Sequence, residues 1–232
     1  MTQTTMAWDD WFANLETGDI LLGQGELESS FLIEAVFDCQ WSHGAIIVIA
    51  GDIGLEGVPP ETVLCWESNI EVPTNPGGYF VPDLMLGVPK FGPIIDDLKR
   101  RISCNYHLNE DNNYAHRKLN FRRTPEMFET LKSVINATHS AGFPSLGKAE
   151  FTNYLKGALF NLPVTDGTFF CTQMVSHTYK AWDLLGPEKV DNAYAPVNYA
   201  DTKHQISLLQ GATFGPEVLV DPTTIPAYPG QS

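Results

Sequence analysis

Cys171, His43 and Glu67 are the side chains whose types and settings could together carry nucleophilic chemistry. Cys171 lies in Gly167-Thr-Phe-Phe-Cys-Thr-Gln-Met-Val-Ser-His-Thr-Tyr. Phe170, Met174, Thr178, Ala181 and Leu185 recur at helical spacing, which predicts a helix over Phe169–Leu185 with the thiol in its first turn. A helix N-terminus favours an anion, so it raises the thiolate fraction, and the thiolate is the attacking species. Position alone leaves open an ordinary buried thiol.

His43 opens an apolar strand in Trp41-Ser-His-Gly-Ala-Ile-Ile-Val-Ile-Ala. Its unperturbed pKa near neutrality suits a general base. Glu67 stands in Leu64-Cys-Trp-Glu-Ser, at the far end of the next strand. If residues 43–50 and 62–69 form an antiparallel pair, an even index sum such as 43 + 69 puts His43 and Glu67 on one face as diagonal neighbours. An odd sum separates them. In the even register Glu67 can hold one imidazole nitrogen while the other faces a thiol, which is the orienting logic of a triad. Taken singly, each could be no more than a strand-end polar residue.

Other groups compete less well. Cys39, His43, Cys65 and Glu67 could surround a zinc ion, but their spacing is loose, and the expectation is no metal and no cofactor. Cys104, His107 and His116 flank an Asn-rich turn and are expected at the surface, as are His139 and His204. His177 falls about 240° around the helix from Cys171 and reads as structural. Gln173 could donate to an oxyanion but is expected to face solvent. Trp8, Trp11 and Trp41 read as core.

Gly18-Asp19-Ile-Leu, Ser42-His43-Gly-Ala-Ile-Ile, Glu67 and Phe170-Cys171-Thr-Gln-Met-Val together resemble the permuted branch of the NlpC-like papain-fold hydrolases. That branch includes YiiX-like amidase-type proteins and lecithin retinol acyltransferase-like enzymes. Here the histidine and acid precede the cysteine, as in that branch. The resemblance covers Gly18 to about Tyr199, while residues 69–168 show no specific match. It implies a circularly permuted papain-like fold with Cys171 as nucleophile, His43 as base and Glu67 as orienting acid. With no hydrophobic C-terminal anchor of the retinol acyltransferase kind, a soluble amidase-like enzyme is favoured.

These groups need a scaffold, and the composition supplies one. The chain has 232 residues, 43% apolar and 18% charged, enough to bury a core. With 14 basic and 28 acidic residues the formal charge is −14, which argues against nucleic acid and anionic lipid as partners. Residues 1–89 carry 14 acids and no Lys or Arg. Seven basic residues then cluster: Lys99, Arg100, Arg101, Arg117, Lys118, Arg122 and Arg123. They either pair internally with the acidic part or form a patch for an anionic partner. The longest aliphatic run, Ala45–Ala50, is far too short for a membrane span, and the N-terminus shows no signal-like segment. Four widely spaced cysteines read as reduced thiols, so a cytoplasmic location is expected.

Patterning predicts helices over Ala7–Leu15, Ser29–Phe37, Thr124–His139, Ala149–Phe160 and Phe169–Leu185. Strands are predicted at Asp19–Gly23, Ser42–Ala50, Thr62–Ser68, 93–103 and 114–123. Loops and turns are expected at Gly51–Glu61, Asn75–Gly78, Asn109–Asn113 and Asp166-Gly167. The fold class is α+β: one domain over 1–214, its antiparallel sheet packed on the helix bearing Cys171, and a Pro-rich tail over 215–232. The expected function is a thiol hydrolase cleaving an amide bond in a peptide-like or acylated small-molecule substrate. A lipid ester hydrolase or acyltransferase, and a silent binding scaffold, are the alternatives.

Overall fold

The structure, a computed structural model, describes residues 4–25, 28–69, 81–108, 113–143, 156–157, 160–163 and 167–227. The elements named here are β1 (Thr4–Met6), α1 (Trp8–Ala13), β2 (Ile20–Gly23), α2 (Glu28–Phe37), β3 (His43–Ile49), α3 (Ala50–Ile53) and β4 (Val63–Asn69). Then come β5 (Gly92–Asp97), α4 (Leu98–Leu108), β6 (Tyr114–Asn120), α5 (Pro125–Thr138), α6 (Cys171–Ala181), α7 (Pro196–Tyr199) and β7 (Thr213–Val220). The expected loop Asn75–Gly78, most of the expected helix Ala149–Phe160, Asp166 and most of the Asn109–Asn113 turn lie outside the described residues.

Seven strands form one mixed sheet in the order β1-β7-β6-β2-β3-β4-β5. All neighbours are antiparallel except β1 and β7. Period-two alternation sorts the central strands into two layers of core. Ile46, Val48, Leu64 and Trp66 face Met127 and Leu131 of α5 and Met174, Val175 and Tyr179 of α6. Ala45, Ile47 and Cys65 face Trp11 and Phe12 of α1 and Leu98 and Ile102 of α4. The continuous apolar run of β3 follows from this, since a strand covered on both faces has no polar side. Trp8, Trp11 and Trp41 are core, as expected.

α5 begins where its sequence says: the Thr124 hydroxyl accepts from the Met127 N–H at 3.3 Å, and Pro125 occupies the first helical position. Two expectations need correction. Residues 93–103 are not one strand, because β5 ends at Asp97 and the chain turns directly into α4. Nor does an element boundary fall at 214/215: β7 runs through that expected division and sits inside the sheet. Its pairing with β6 shifts register between Arg117 and Leu119, opposite Gly215-Pro216. A bulge is where a proline costs the ladder no hydrogen bond.

The basic cluster is mostly spent internally. Arg123 and Lys118 pair with buried Asp19 at 2.6 and 3.3 Å. Arg117 is 1% exposed and donates to the carbonyls of Gly215 and Tyr199 and to Gln205 Oε1. Lys99 lies over the Phe12 ring.

Cys104, His116 and His139 were expected at the surface and are buried. Cys104 lies within α4, and His139 bonds Asp83 at 2.9 Å. His116 meets the Trp11 ring edge-on at 5.0 Å, and its Nδ1 has no hydrogen-bond partner among the described residues. Burial first, and Lys118 second, push its pKa down to about 4. The unfolded chain binds that proton near pH 6.5, so below this pH the unfolded state holds more protons than the native one. Stability contributed by neutral His116 is therefore complete above pH 6.5 and is lost as pH falls towards 4. The loss is about 3 kcal/mol over that window. In urea unfolding at pH 7 and pH 4.5, His116→Phe is expected to reduce the acid-induced loss by about 2 kcal/mol.

Candidate active site

The site is built where β3 begins and β4 ends. Before β3, the Ser42 N–H donates to Gly23 O at 3.1 Å and the Gly25 N–H donates to Ser42 Oγ at 2.8 Å, fixing the entry into the strand. β3 and β4 pair from Ile46↔Trp66 to Ile49↔Val63, each with an index sum of 112. The register is the even one, so His43 and Glu67 share a face. His43 Nε2 is hydrogen-bonded to Glu67 Oε2. Glu67 is 1% exposed and the His43 side chain 21%.

The β3–β4 ladder ends at Ile46↔Trp66, and the N-terminus of α6 enters beyond it. Ser68 Oγ donates to Phe169 O at 2.6 Å, anchoring the approach to the helix on the end of β4. Thr172 Oγ1 donates to Tyr194 O at 2.7 Å, and Tyr179 in the third turn donates to Gly18 O at 2.6 Å. Gln173 does not face solvent as expected. It is buried, and its Oε1 accepts the Phe170 N–H at 3.1 Å, satisfying a donor that the helix leaves open. The helix body packs on the Ile46 face, while its first turn sits at the parting of the strands. There Cys171 is half-buried and meets His43, which lies on the opposite face of the sheet.

The electrostatics run along one line. Burial opposes the Cys171 thiolate, but the hydrogen bond from His43, its charge, and the backbone N–H groups of Gly44 and Thr172 together hold the thiol below its ordinary range. Burial likewise opposes the His43 imidazolium, and Glu67 and Cys171 overcome it, holding His43 above its ordinary range. Burial pushes Glu67 up, and Arg101 and then His43 outweigh it, so the carboxyl is held down. With Nε2 engaged by Glu67, Nδ1 is the nitrogen left for the thiol.

Gly44 is required by the close approach of α6. A Cβ there would lie 3.1 Å from the Thr172 methyl. Gly44→Ala is expected to push the first turn of α6 off β3 and slow alkylation of Cys171 about tenfold, at a stability cost of about 1–3 kcal/mol. Iodoacetamide kinetics and urea unfolding on one sample check both.

Sequence reasoning missed Arg101, Asn69 and the Gly44 N–H. Arg101 Nε donates to Glu67 Oε1 at 2.8 Å and lies 3.9 Å from Asp96 Oδ2. Asn69 Nδ2 donates to the same Glu67 oxygen at 3.3 Å. Asn69, two residues beyond Glu67 on its strand face, could have been found by the period-two rule.

Cys65, Glu67 and Asp96 offer donor atoms within 4.8 Å of one another, all buried; Cys39 and His43 are not in that group. The Arg101 guanidinium beside Glu67 and Asp96 already supplies a positive charge there. The four cysteines are free thiols, with Cys65 and Cys104 buried. Burial, chiefly, pushes the Cys39 thiol up, the reverse of Cys171. His177 pairs with Asp191 at 2.7 Å on the outer side of α6. Among the described residues no helix is long and apolar enough to cross a membrane.

No protein-family model matches the chain, and no curated protein matches it. Among solved structures it is similar to the metalloprotein yiiX from Escherichia coli O157:H7, of the DUF1105 group, at 14% identity and a TM-score of 0.44. The match covers 71% of this chain and 64% of the length of that one.

Proposed function

We propose that this chain is a thiol hydrolase that cleaves an amide bond in a peptide-like or acylated small-molecule substrate, on a circularly permuted papain-like fold. The meeting of Cys171, at the start of a helix, with His43, which is hydrogen-bonded to Glu67, is the observation that carries the reading. The Cys171 thiolate attacks the carbonyl carbon and forms an S–C bond. The carbonyl oxygen takes up the electron pair and returns it as the C–N bond breaks. His43 gives its proton to the departing amine. It then takes one from water, whose oxygen attacks the thioester and releases the acid and the thiolate. Glu67 stays ionised throughout and stabilises the imidazolium. The N–H groups of Gly44 and Thr172 support the thiolate between turnovers.

The test needs no substrate. At neutral pH, iodoacetamide is expected to label Cys171 at least tenfold faster than Cys39, Cys65 or Cys104, as read by peptide mass spectrometry. His43→Ala is expected to slow Cys171 to the rate of Cys39, the other partly exposed thiol, while buried Cys65 and Cys104 stay slow in both proteins. Equal labelling of Cys171 and Cys39 in the parent would overturn the reading.

A further inference from the structure

We infer that Arg101 is a positioning residue of this site: through its bond to Glu67 it holds the carboxylate that holds His43, so the reactivity of Cys171 depends on a residue that does not touch it. The inference rests on the thiol-hydrolase reading and deepens it.

The geometry divides Glu67 between two cations. Oε2 takes His43 Nε2, and Oε1 takes Arg101 Nε at 2.8 Å. A carboxylate held at both oxygens cannot rotate away from the imidazole, and Arg101 brings the planar fork suited to that hold. Arg101 is 7% exposed and Glu67 1%, so little water could replace the guanidinium. The groups facing Glu67 come from every adjacent element: His43 on β3, Cys65 on its own strand, Asp96 on β5, Arg101 on α4, and Cys171 behind His43. Two of these neighbours, Asp96 and the Cys171 thiolate, are acidic. Without Arg101, His43 would be, among the described residues bonded to Glu67, the one cation, set against three anionic groups.

The fold delivers Arg101 by an abrupt change of element. Ile94 of β5 pairs with Glu67, the strand ends at Asp97, and α4 starts at Leu98 and folds back over the face carrying Cys65. Leu98 and Ile102 sink into that core one turn apart, and Arg101 is set beside them, over Glu67. Removing Arg101 leaves a buried carboxylate short of a partner and drawn towards its protonated form. A protonated Glu67 stabilises the imidazolium less, and the thiolate loses its support in turn.

The experiment follows the rate of Cys171 alkylation by iodoacetamide against pH in the full chain. The proteins are the parent, Arg101→Met, Arg101→Lys, Glu67→Gln, the double variant Arg101→Met/Glu67→Gln, and His43→Ala. Arg101→Met is expected to move the alkylation midpoint to higher pH and slow the reaction at neutral pH about tenfold. Glu67→Gln is expected to do the same, with Arg101→Met adding less than twofold on top, because both act on one bond. Arg101→Lys keeps the charge and is expected to stay within threefold of the parent; it decides the matter if Arg101→Met does not fold. An unmoved midpoint in Arg101→Met, a double variant as slow as the product of the singles, or a lysine variant as slow as Glu67→Gln would each overturn the inference. Should His43→Ala leave the parent profile intact, the hydrolase reading itself falls; a profile flattened by His43→Ala but unmoved by Arg101→Met sinks only the role of Arg101.

Discussion

Cys171→Ala is expected to fold like the parent and to lose turnover of any amide substrate by about 10⁶-fold, with His43→Ala close behind. The size follows from the parts acting as a unit. Without the sulfur no acyl intermediate forms, and without the imidazole the thiol returns to its ordinary acidity and the departing amine has no proton donor. Cys171→Ser keeps the volume but offers a hydroxyl that His43 cannot ionise to the same degree. A panel of acyl anilides and short peptide amides, read at saturating enzyme, checks all three. The pH profile is informative in its own right. Because the thiol is held low and the imidazole high, the ion pair persists on both sides of neutrality. Activity is therefore expected to form a broad plateau, falling on the acid side as the thiolate takes a proton and on the alkaline side as His43 loses one. Parent activity retained in Cys171→Ala would place the chemistry elsewhere.

Asp19→Ala is expected to cost about 3–5 kcal/mol of stability, a large share of the roughly 5–15 kcal/mol that holds a domain folded. Asp19 is fully buried. Its carboxylate accepts the N–H groups of Glu16 and Leu119, both at 3.0 Å, and faces Arg123 at 2.6 Å and Lys118 at 3.3 Å. Truncation leaves the Glu16 and Leu119 amides without their acceptor and takes from Arg123 and Lys118 their buried counter-charge. The neighbouring Gly18 has φ +94° and accepts the Tyr179 hydroxyl, so this segment also latches α6 to the sheet. Glu16 bonds the same Lys118 but is 56% exposed, and Glu16→Ala is expected to cost less than about 1 kcal/mol. Urea unfolding of the two variants side by side checks the contrast, and equal effects would refute the buried cluster as the cause.

The first-turn position of Cys171 and the even register were legible because each rests on a short-range rule. Period-two alternation fixes which β4 residue shares a face with His43, and an apolar stripe at helical spacing puts Cys171 in a first turn. What was not legible depends on where periods change or on what covers a residue. Residues 93–103 hold apolar side chains compatible with a strand, and nothing local marks the switch at Asp97 that brings Arg101 over Glu67. Gly215-Pro216 carries the signature of a chain end, and only its partner strand reveals that the bulge opposite Arg117 accommodates it. His116 and Cys104 look superficial beside a polar turn, but Trp11 of α1 packs on His116, and Cys104 belongs to α4, which packs across the sheet. Gln173 looks solvent-facing until the open Phe170 N–H is counted.

The placement of β7 bears on how such a protein emerges from the ribosome. β7 lies between β1 and β6, so β1 can take its place in the sheet only after β7 has been made. By then the imidazole and its carboxylate have long been made, whereas the sulfur arrives late and becomes acidic only when α6 docks. A chain in which α6 has not yet docked thus carries no sensitised thiol.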